Sequence, residues 1–473
     1  MTNKSSRRDF ITAGLLGAGA ASLGLVALTK YAAAKGKPAL SDAMGRLVAL
    51  RDETTGIPLL MLPKGFRYKT FSWARSRLHD GHRVPEMADG MGVVRTEGSR
   101  VTLVRNHELT GSSGAIGDPE LAYDNTGGGT TTLVWDTSDE KLKDSWVSLG
   151  GTVNNCAGGV TPWGTWLSCE EGPVSPDLLH LPVPARKAAW NIENARRPHG
   201  FVFEVPAQGV ARPEPIVAMG QFYHEAVAFD DRSGIAYLTE DTNPKAGMYR
   251  FIANVPGDLQ QGGRLQMMRV NGGRDMRDGL VMGQEMPVEW VDIRNPEQGF
   301  TTNSREGDGV VRQGLAAGGS AFISLEGCTC MDGQVYFTSK FGGRARSGQV
   351  YQYDIDRELL WLIFESPGQK VISGPDNIIM SPRGSLLICE DRVSQNTAAQ
   401  RLIGLTSSGD LFRFCQINPA LEGFHGGYNL ETTALYSEWA GATFSADGQW
   451  LFVNIYYPGI TVAITGPWQE GLF

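Results

Sequence analysis

The chain has 473 residues, 41% of them hydrophobic, with 60 Gly and 24 Pro and no low-complexity run. That is enough to bury a large core, and it favours a turn-rich all-β protein over a disordered one. A formal net charge of −8 argues against nucleic acid as a partner and suits cation binding.

The first element is not part of the fold. Ser6-Arg7-Arg8-Asp9-Phe10 precedes an Ala/Gly/Leu-rich run to Thr29, then Ala32-Ala33-Ala34. Residues 1–34 read as a twin-arginine export signal with a small-residue cleavage site near Ala34. The alternative is an uncleaved membrane anchor, but the run is near the lower length limit for a span and is diluted by Gly and Ser. The expectation is therefore a single domain over 35–473, a monomer with no stable membrane span, carried by the twin-arginine translocation machinery to the periplasm or beyond. Without the signal the balance is 39 basic residues against 50 acidic. The six cysteines read as free thiols: Cys328 and Cys330 are i, i+2 on a probable strand, and Cys169, Cys389 and Cys415 sit in apolar strand contexts.

From Asp89 onward one pattern recurs. A polar residue leads into a short apolar strand, a Gly-containing turn, and a second apolar strand that ends in an acid or amide. Asp89 leads to Asn106-His107-Glu108, Cys156 to Glu170-Glu171, His224-Glu225 to Glu240-Asp241, Glu326 to Thr338-Ser339-Lys340, Asp376-Asn377 to Glu390-Asp391, and Glu438 to Asn454. Six copies, several followed by further strand pairs, predict an all-β six-bladed β-propeller. Residues 172–200 and 256–320 would be insertions on its rim. The competing architecture is two β-sandwiches. In a propeller the innermost strands converge, so the recurrent acids would ring one axial channel and repel one another unless cations neutralised them.

Asn106, Glu108, Asn155, Glu170, Glu171, Glu240, Asp376, Glu390 and Glu438 are hard oxygen donors of the kind Ca2+ requires. Cys156 is either a core thiol or the ligand of a softer metal such as iron or zinc. His224 is open as ligand, proton shuttle or structural donor, and His107 likewise. Trp163 and Trp166 read as packing residues rather than a substrate platform. Nucleophile-elbow, zinc-pair, Rossmann and Walker motifs are absent from the sequence.

The twin-arginine stretch, Asn106-His107-Glu108, Asn154-Asn155-Cys156-Ala157-Gly158-Gly159 through Trp163-Gly164-Thr165-Trp166 to Cys169-Glu170-Glu171, His224-Glu225-Ala226-Val227, Glu326-Gly327, Pro375-Asp376-Asn377 and Phe452-Val453-Asn454-Ile455 together resemble the PhoX-type alkaline phosphatases, a family of exported six-bladed propellers. The resemblance implies hydrolysis of phosphate esters, with a small phosphorylated substrate, at two irons (Fe3+) bridged by a cysteine and accompanied by Ca2+. On it, Cys156 would be the bridging thiolate and Glu225 and Glu326 carboxylate ligands near the irons. These three are the catalytic candidates. Glu170, Glu171, Glu240, Asp376, Glu390 and Glu438 would belong to the calcium shell, and Asn155 and Glu108 complete the metal-ligand candidates. One position departs from the family: an arginine two before the glutamate matching Glu326 is replaced by Ser324, with Lys340, Arg344 and Arg346 as the nearest cations in sequence. That departure keeps two alternatives open, a calcium-dependent propeller hydrolase of lactones or phosphodiesters and a non-catalytic calcium-stabilised binding propeller.

Overall fold

The computed structural model describes residues 39–298, 309–391 and 399–473; the segment read as an export signal, 1–34, lies outside them. Strand makes up 46% and helix 5%, as the all-β reading requires.

Six hairpins organise the chain, at the six places where the pattern recurs. They are β1 (Ala88–Glu97) with β2 (Arg100–His107), β3 (Asn155–Val160) with β4 (Thr165–Glu170), β5 (His224–Asp230) with β6 (Ile235–Glu240), β7 (Leu325–Met331) with β8 (Gln334–Ser339), β9 (Pro375–Met380) with β10 (Leu386–Glu390), and β11 (Trp439–Phe444) with β12 (Leu451–Ile455). Further strands extend each hairpin outward. Gly128–Asp136 and Lys141–Thr152 follow β2, and Val202–Pro206 follows β4. Met248–Val255 and Asp258–Val270 follow β6, and Gln349–Asp354 and Leu359–Glu365 follow β8. Arg401–Leu405 and Leu411–Ile417 follow β10. The last group is completed from the other end of the chain, because Ile460–Thr465 pairs antiparallel with Arg67–Trp73. The six first strands contact one another in a closed circle, β1 on β3, then β5, β7, β9, β11 and back to β1.

The strands are buried on both faces, which is why they read as continuous apolar runs rather than as an alternation. Neighbouring residues serve different cores. Leu103 packs with Phe452, Ala463 and Leu133, while Val104 packs with Leu149, Trp166 and Phe203. Leu238 joins Leu167 and Val202, while Tyr237 joins Met248, Val335 and Phe337. Ile388 joins Tyr336 and Val350, while Leu387 joins Phe412, Leu451 and Val462. Each cluster thus fills the space between two adjacent strand groups.

One insertion reading holds and one needs revision. Residues 172–200 carry two short helices, Pro176–Leu179 and Val183–Trp190. Residues 256–320 are only partly an insertion, because Asp258–Val270 is a full strand of its group, and Met286–Asp292 pairs with both Asp258–Val270 and Leu359–Glu365, joining two groups in one nine-stranded sheet. The long Gln260-Gln261-Gly262-Gly263 stretch hides that strand, because it lacks apolar residues. Residues 299–308 of that segment lie outside the described residues. All six cysteines are free thiols, as the spacing predicts.

Candidate metal centre

One irregularity repeats in the hairpins. The register between first and second strand slips between Ala88 and Met91, His224 and Val227, Leu325 and Cys328, Pro375 and Ile378, and Ala440 and Thr443; in the second hairpin it slips between Ser168 and Glu170, opposite Gly158 and Asn155. A bulge bends a strand and re-aims the extra side chain. The residue at the start of each slip is Asp89, Cys156, Glu225, Glu326, Asp376 and, in the sixth hairpin, Gly441. Five of the six equivalent positions therefore carry a metal-ligand side chain.

The second strands supply another set. The residue just past each one donates its backbone N–H to the carbonyl of the residue just before the first strand: Glu108 to Met87, Glu171 to Asn154, Asp241 to Tyr223, Lys340 to Ser324, Asp391 to Gly374 and Tyr456 to Glu438, at 2.8–3.2 Å. Four of those acceptors, Met87, Asn154, Ser324 and Gly374, have φ between 41° and 65°. Asn and Gly tolerate that left-handed conformation; Met and Ser take it at a cost of about 1 kcal/mol or more.

The two sets converge. Ligand atoms of Cys156, Glu171 and Glu225 lie within 4.8 Å of one another, as do those of Asp89, Glu108 and Glu438, of Glu225, Glu326 and Asp376, and of Asp376, Asp391 and Glu438. Glu225, Asp376 and Glu438 each belong to two triads, so the four form one connected cluster. The cysteine Sγ also lies 3.0 Å from the His224 carbonyl oxygen. Beyond the bulges the first strands line a cavity of about 400 Å³. Glycines recur in its wall where the strands approach too closely for a side chain: a Cβ on Gly90 would lie 2.5 Å from Ala157 Cα, and one on Gly327 2.6 Å from the Ile378 nitrogen.

Hydrogen bonds across hairpins hold the bulges. Asn106 Nδ2 donates to the Cys156 and Ala157 carbonyls at 3.0 and 2.7 Å. Thr239 Oγ1 donates to the Glu326 carbonyl at 2.6 Å, Thr338 Oγ1 to that of Asp376 at 2.7 Å, and Asn454 Nδ2 to that of Asp89 at 2.6 Å. Each donor sits on the second strand of one hairpin and each acceptor on the first strand of the next.

Several residues expected among the ligands lie elsewhere. Glu170 accepts from Val153 N, His199 Nδ1, Gly200 N and Phe201 N; Glu240 from Gly247 N and Tyr249 Oη; Glu390 from Ser373 N and from Arg401 N, Nε and Nη2. Each is the last residue of its strand, and the acid after it, Glu171, Asp241 or Asp391, turns to the centre instead. Adjacent residues on extended chain point to opposite sides, so one of each pair must face away. Asn155 is likewise engaged, accepting from Thr152 Oγ1 at 2.5 Å and donating to Ser168 Oγ at 2.8 Å. His224 stacks on Phe222 at 3.5 Å and binds the Gly220 carbonyl at 2.9 Å, which makes it a packing residue; His107 bridges Thr131 Oγ1 and the Glu86 carbonyl. Trp166 is buried and donates to Asn106 Oδ1. Asp89 and Asp391 are the cluster members that the ligand reading omits, and Asp241 lies beside Glu171 at its edge. Aligning the hairpins residue by residue would have found them.

The electrostatics point one way. Burial, followed by the neighbouring carboxylates, pushes Asp89, Glu225 and Glu438 well above the usual carboxylate range. Burial does the same for Glu171 and Glu326, where Lys340 pulls against the other acids, and it raises Asp241 and Asp376 too. Glu108 is raised to about 7, mainly by burial. Asp391 alone is lowered, because Lys340 and Glu438 overcome its burial. The Cys156 thiol is pushed up by burial, then by Glu225, Glu171 and Asp89. Repulsion of this kind is relieved by bound cations, which favour the ionised forms. Glu326 Oε1 is buried with no hydrogen-bond donor and faces the Lys340 ammonium at 3.5 Å. A thiol with carboxylates suits iron or zinc, and the all-oxygen triads suit calcium, so the residues present fit such ions.

Fold and site define a mostly-β protein with a buried acid-and-thiol centre. A family model described as Alkaline phosphatase PhoX matches residues 45–140 and 129–459, and the chain belongs to that family. It is a phosphatase, and the family is metal-dependent. No curated protein matches the chain. Among solved structures it is similar to a gluconolactonase from Xanthomonas campestris (13% identity, 84% of this chain and 94% of that one, TM-score 0.38). It is also similar to the PQQ domain of a pyranose dehydrogenase from Coprinopsis cinerea (11%, 90% and 100%, TM-score 0.33) and to a hydrazine synthase from Kuenenia stuttgartiensis (10%, 78% and 74%, TM-score 0.34).

Proposed function

We propose that the chain hydrolyses phosphate monoesters at an iron-and-calcium centre on the axis of a six-bladed propeller formed by residues 35–473. The observation that carries this reading is the convergence of Cys156 with carboxylates from five hairpins inside one buried cluster. Support for the propeller comes from six equivalent hairpins, the closed circle of first strands, and completion of the last strand group by Arg67–Trp73.

Cys156, Glu171 and Glu225 would hold iron, and Glu225 is shared with the triad it forms with Glu326 and Asp376. The triads Asp89–Glu108–Glu438 and Asp376–Asp391–Glu438 offer only oxygen and would hold calcium. Bound metal supplies Lewis acidity, which polarises a phosphoryl oxygen and lowers the pKa of water. The chain supplies the rest: Asn106 fixes the backbone of Cys156, Thr239 and Thr338 fix those of Glu326 and Asp376, and the apolar clusters keep water away from the thiol. Export of the mature chain to the periplasm by the twin-arginine route belongs to the same proposal. No helix among the described residues is long and apolar enough to cross a membrane.

The test is to purify the mature protein, measure iron and calcium per chain, and assay a chromogenic phosphomonoester before and after chelation. Loss of turnover on chelation and recovery on adding both metals is the expected result. Activity that persists in Cys156→Ala with no metal bound overturns the proposal. Ser324 motivates a second reading, a calcium-dependent phosphodiesterase or lactonase, since the arginine that would grip a dianionic monoester is missing. Turnover of a phosphodiester or lactone with calcium alone would favour it.

A further inference from the structure

At the exit of the second strand, four of the six hairpins place a carboxylate, one places Tyr456, and β8 places Lys340. Lys340 is therefore a cation at a position that elsewhere supplies anions to the centre. Its Nζ lies 3.5 Å from Glu326 Oε1 and 3.3 Å from Asp376 Oδ2, and it pairs with Asp391. Its side chain is only 16% exposed. Glu326 belongs to one metal-capable triad, Asp391 to another, and Asp376 to both, so the ammonium stands between two of the four. Glu326 Oε1, the atom it faces, has no hydrogen-bond donor.

An ammonium on a flexible stem is a compact point charge with three donors, the side chain that best imitates a small hydrated cation. With three carboxylates around it, that charge is spent within the protein. It has none left over to grip a phosphate in the way an arginine at position 324 would.

We propose that Lys340 is a built-in cation of the centre: its ammonium fills the place between Glu326, Asp376 and Asp391 that a further divalent ion would take, so that the chain binds one divalent ion fewer than its carboxylates are able to hold. The proposal rests on the reading that the remaining triads bind metal. It also accounts for Ser324 and Lys340 occurring together. The carbonyl of Ser324 receives the N–H of Lys340, so the two positions are neighbours across the hairpin.

The experiment compares wild type with Lys340→Met and Lys340→Glu, the second of which restores the acid carried by other hairpins. Each protein is stripped by chelation, dialysed against calcium, and analysed for calcium and iron per chain by elemental analysis and calorimetric titration. Thermal unfolding is recorded with and without calcium. Both variants are expected to hold one more calcium per chain than wild type, and to melt lower than wild type when stripped but recover with calcium. Lys340→Arg keeps the charge and is expected to retain the wild-type stoichiometry. Unchanged or reduced metal content in a folded Lys340→Met or Lys340→Glu overturns the proposal. So does failure of both to fold with calcium supplied, since an ion able to replace the ammonium would hold the carboxylates together. If wild type itself binds no divalent ion, the metal reading of the centre fails first, whatever the variants do.

Discussion

Replacing Asn106 by leucine probes the support beneath Cys156 without touching any ligand. The side chain is fully buried and makes four hydrogen bonds: Nδ2 donates to the carbonyls of Cys156 and Ala157, and Oδ1 accepts from Trp166 Nε1 and Ser168 Oγ, all at 2.7–3.0 Å. Leucine keeps the branched shape and the number of heavy atoms and removes every bond. Ser168 Oγ retains Asn155 Nδ2 at 2.8 Å, so three groups bear most of the loss. Each buried polar group left without a partner costs about 1–3 kcal/mol, and partial relaxation keeps the total near 4 kcal/mol. Urea unfolding of stripped protein, monitored by tryptophan fluorescence, is the assay, because metal would otherwise contribute to the difference. The same variant, reloaded, is expected to lose iron before calcium, since the displaced backbone belongs to Cys156. A loss of less than about 1 kcal/mol with unchanged iron affinity would refute the claim that Asn106 positions the thiol.

Other expectations follow from the same geometry. Glu171→Gln is expected to lower metal content, whereas Glu240→Gln, whose carboxylate serves Gly247 and Tyr249, lowers thermal stability and leaves metal content intact; elemental analysis and melting curves separate the two. His199 lies between Glu170 and Asp124 at 2.7 and 3.2 Å, and those two acids overcome its burial and raise it to about 9. A raised folded-state pKa stabilises fully below the unfolded value near 6.5 and is lost as pH rises through the folded one. The stability of wild type should therefore fall by at most about 3 kcal/mol between pH 6 and pH 10, and His199→Asn should lack that component in urea titrations at the two pH values. Gly90→Ala brings a methyl group within 2.5 Å of Ala157 Cα and 2.9 Å of the Cys156 carbonyl oxygen, and is expected to cost about 3 kcal/mol and to weaken iron binding; wild-type stability in this variant would show that the two strands are less tightly apposed.

Much of the scaffold was legible because its strands are sandwiched between cores. Runs such as Ile235-Ala236-Tyr237-Leu238 and Leu386-Leu387-Ile388 announce strands buried on both faces, and the Gly-bearing turns between them fix the pairing. Asp258–Val270 was missed because its outer half is polar and pairs at the rim, where no apolar face is needed. Ligand types were legible, but not which of two adjacent acids turns inward. Glu170 and Glu171 differ by one step along the backbone, and that step decides between a hydrogen bond to Gly200 and a place beside Cys156. Strand ends are known from sequence to within a residue or two, which is the very uncertainty that exchanges the pair. The bulges were also hidden, since a single slipped residue leaves no compositional trace. Lys340 was visible as a nearby cation, but only its three carboxylate neighbours give it a role.

The pairing of Arg67–Trp73 with Ile460–Thr465 has a consequence for how the protein comes into being. A ribosome releases the first of these strands long before the second, and until they meet the circle of hairpins stays open. Glu438 and the β11 contact that brings it beside Asp89 and Glu108 come from the last part of the chain. An unfinished polypeptide therefore owns most of the donor atoms without owning the centre. On the proposed metal reading, loading would have to follow the emergence of Glu438, and a truncation before that residue would yield a chain rich in acids but unable to gather them.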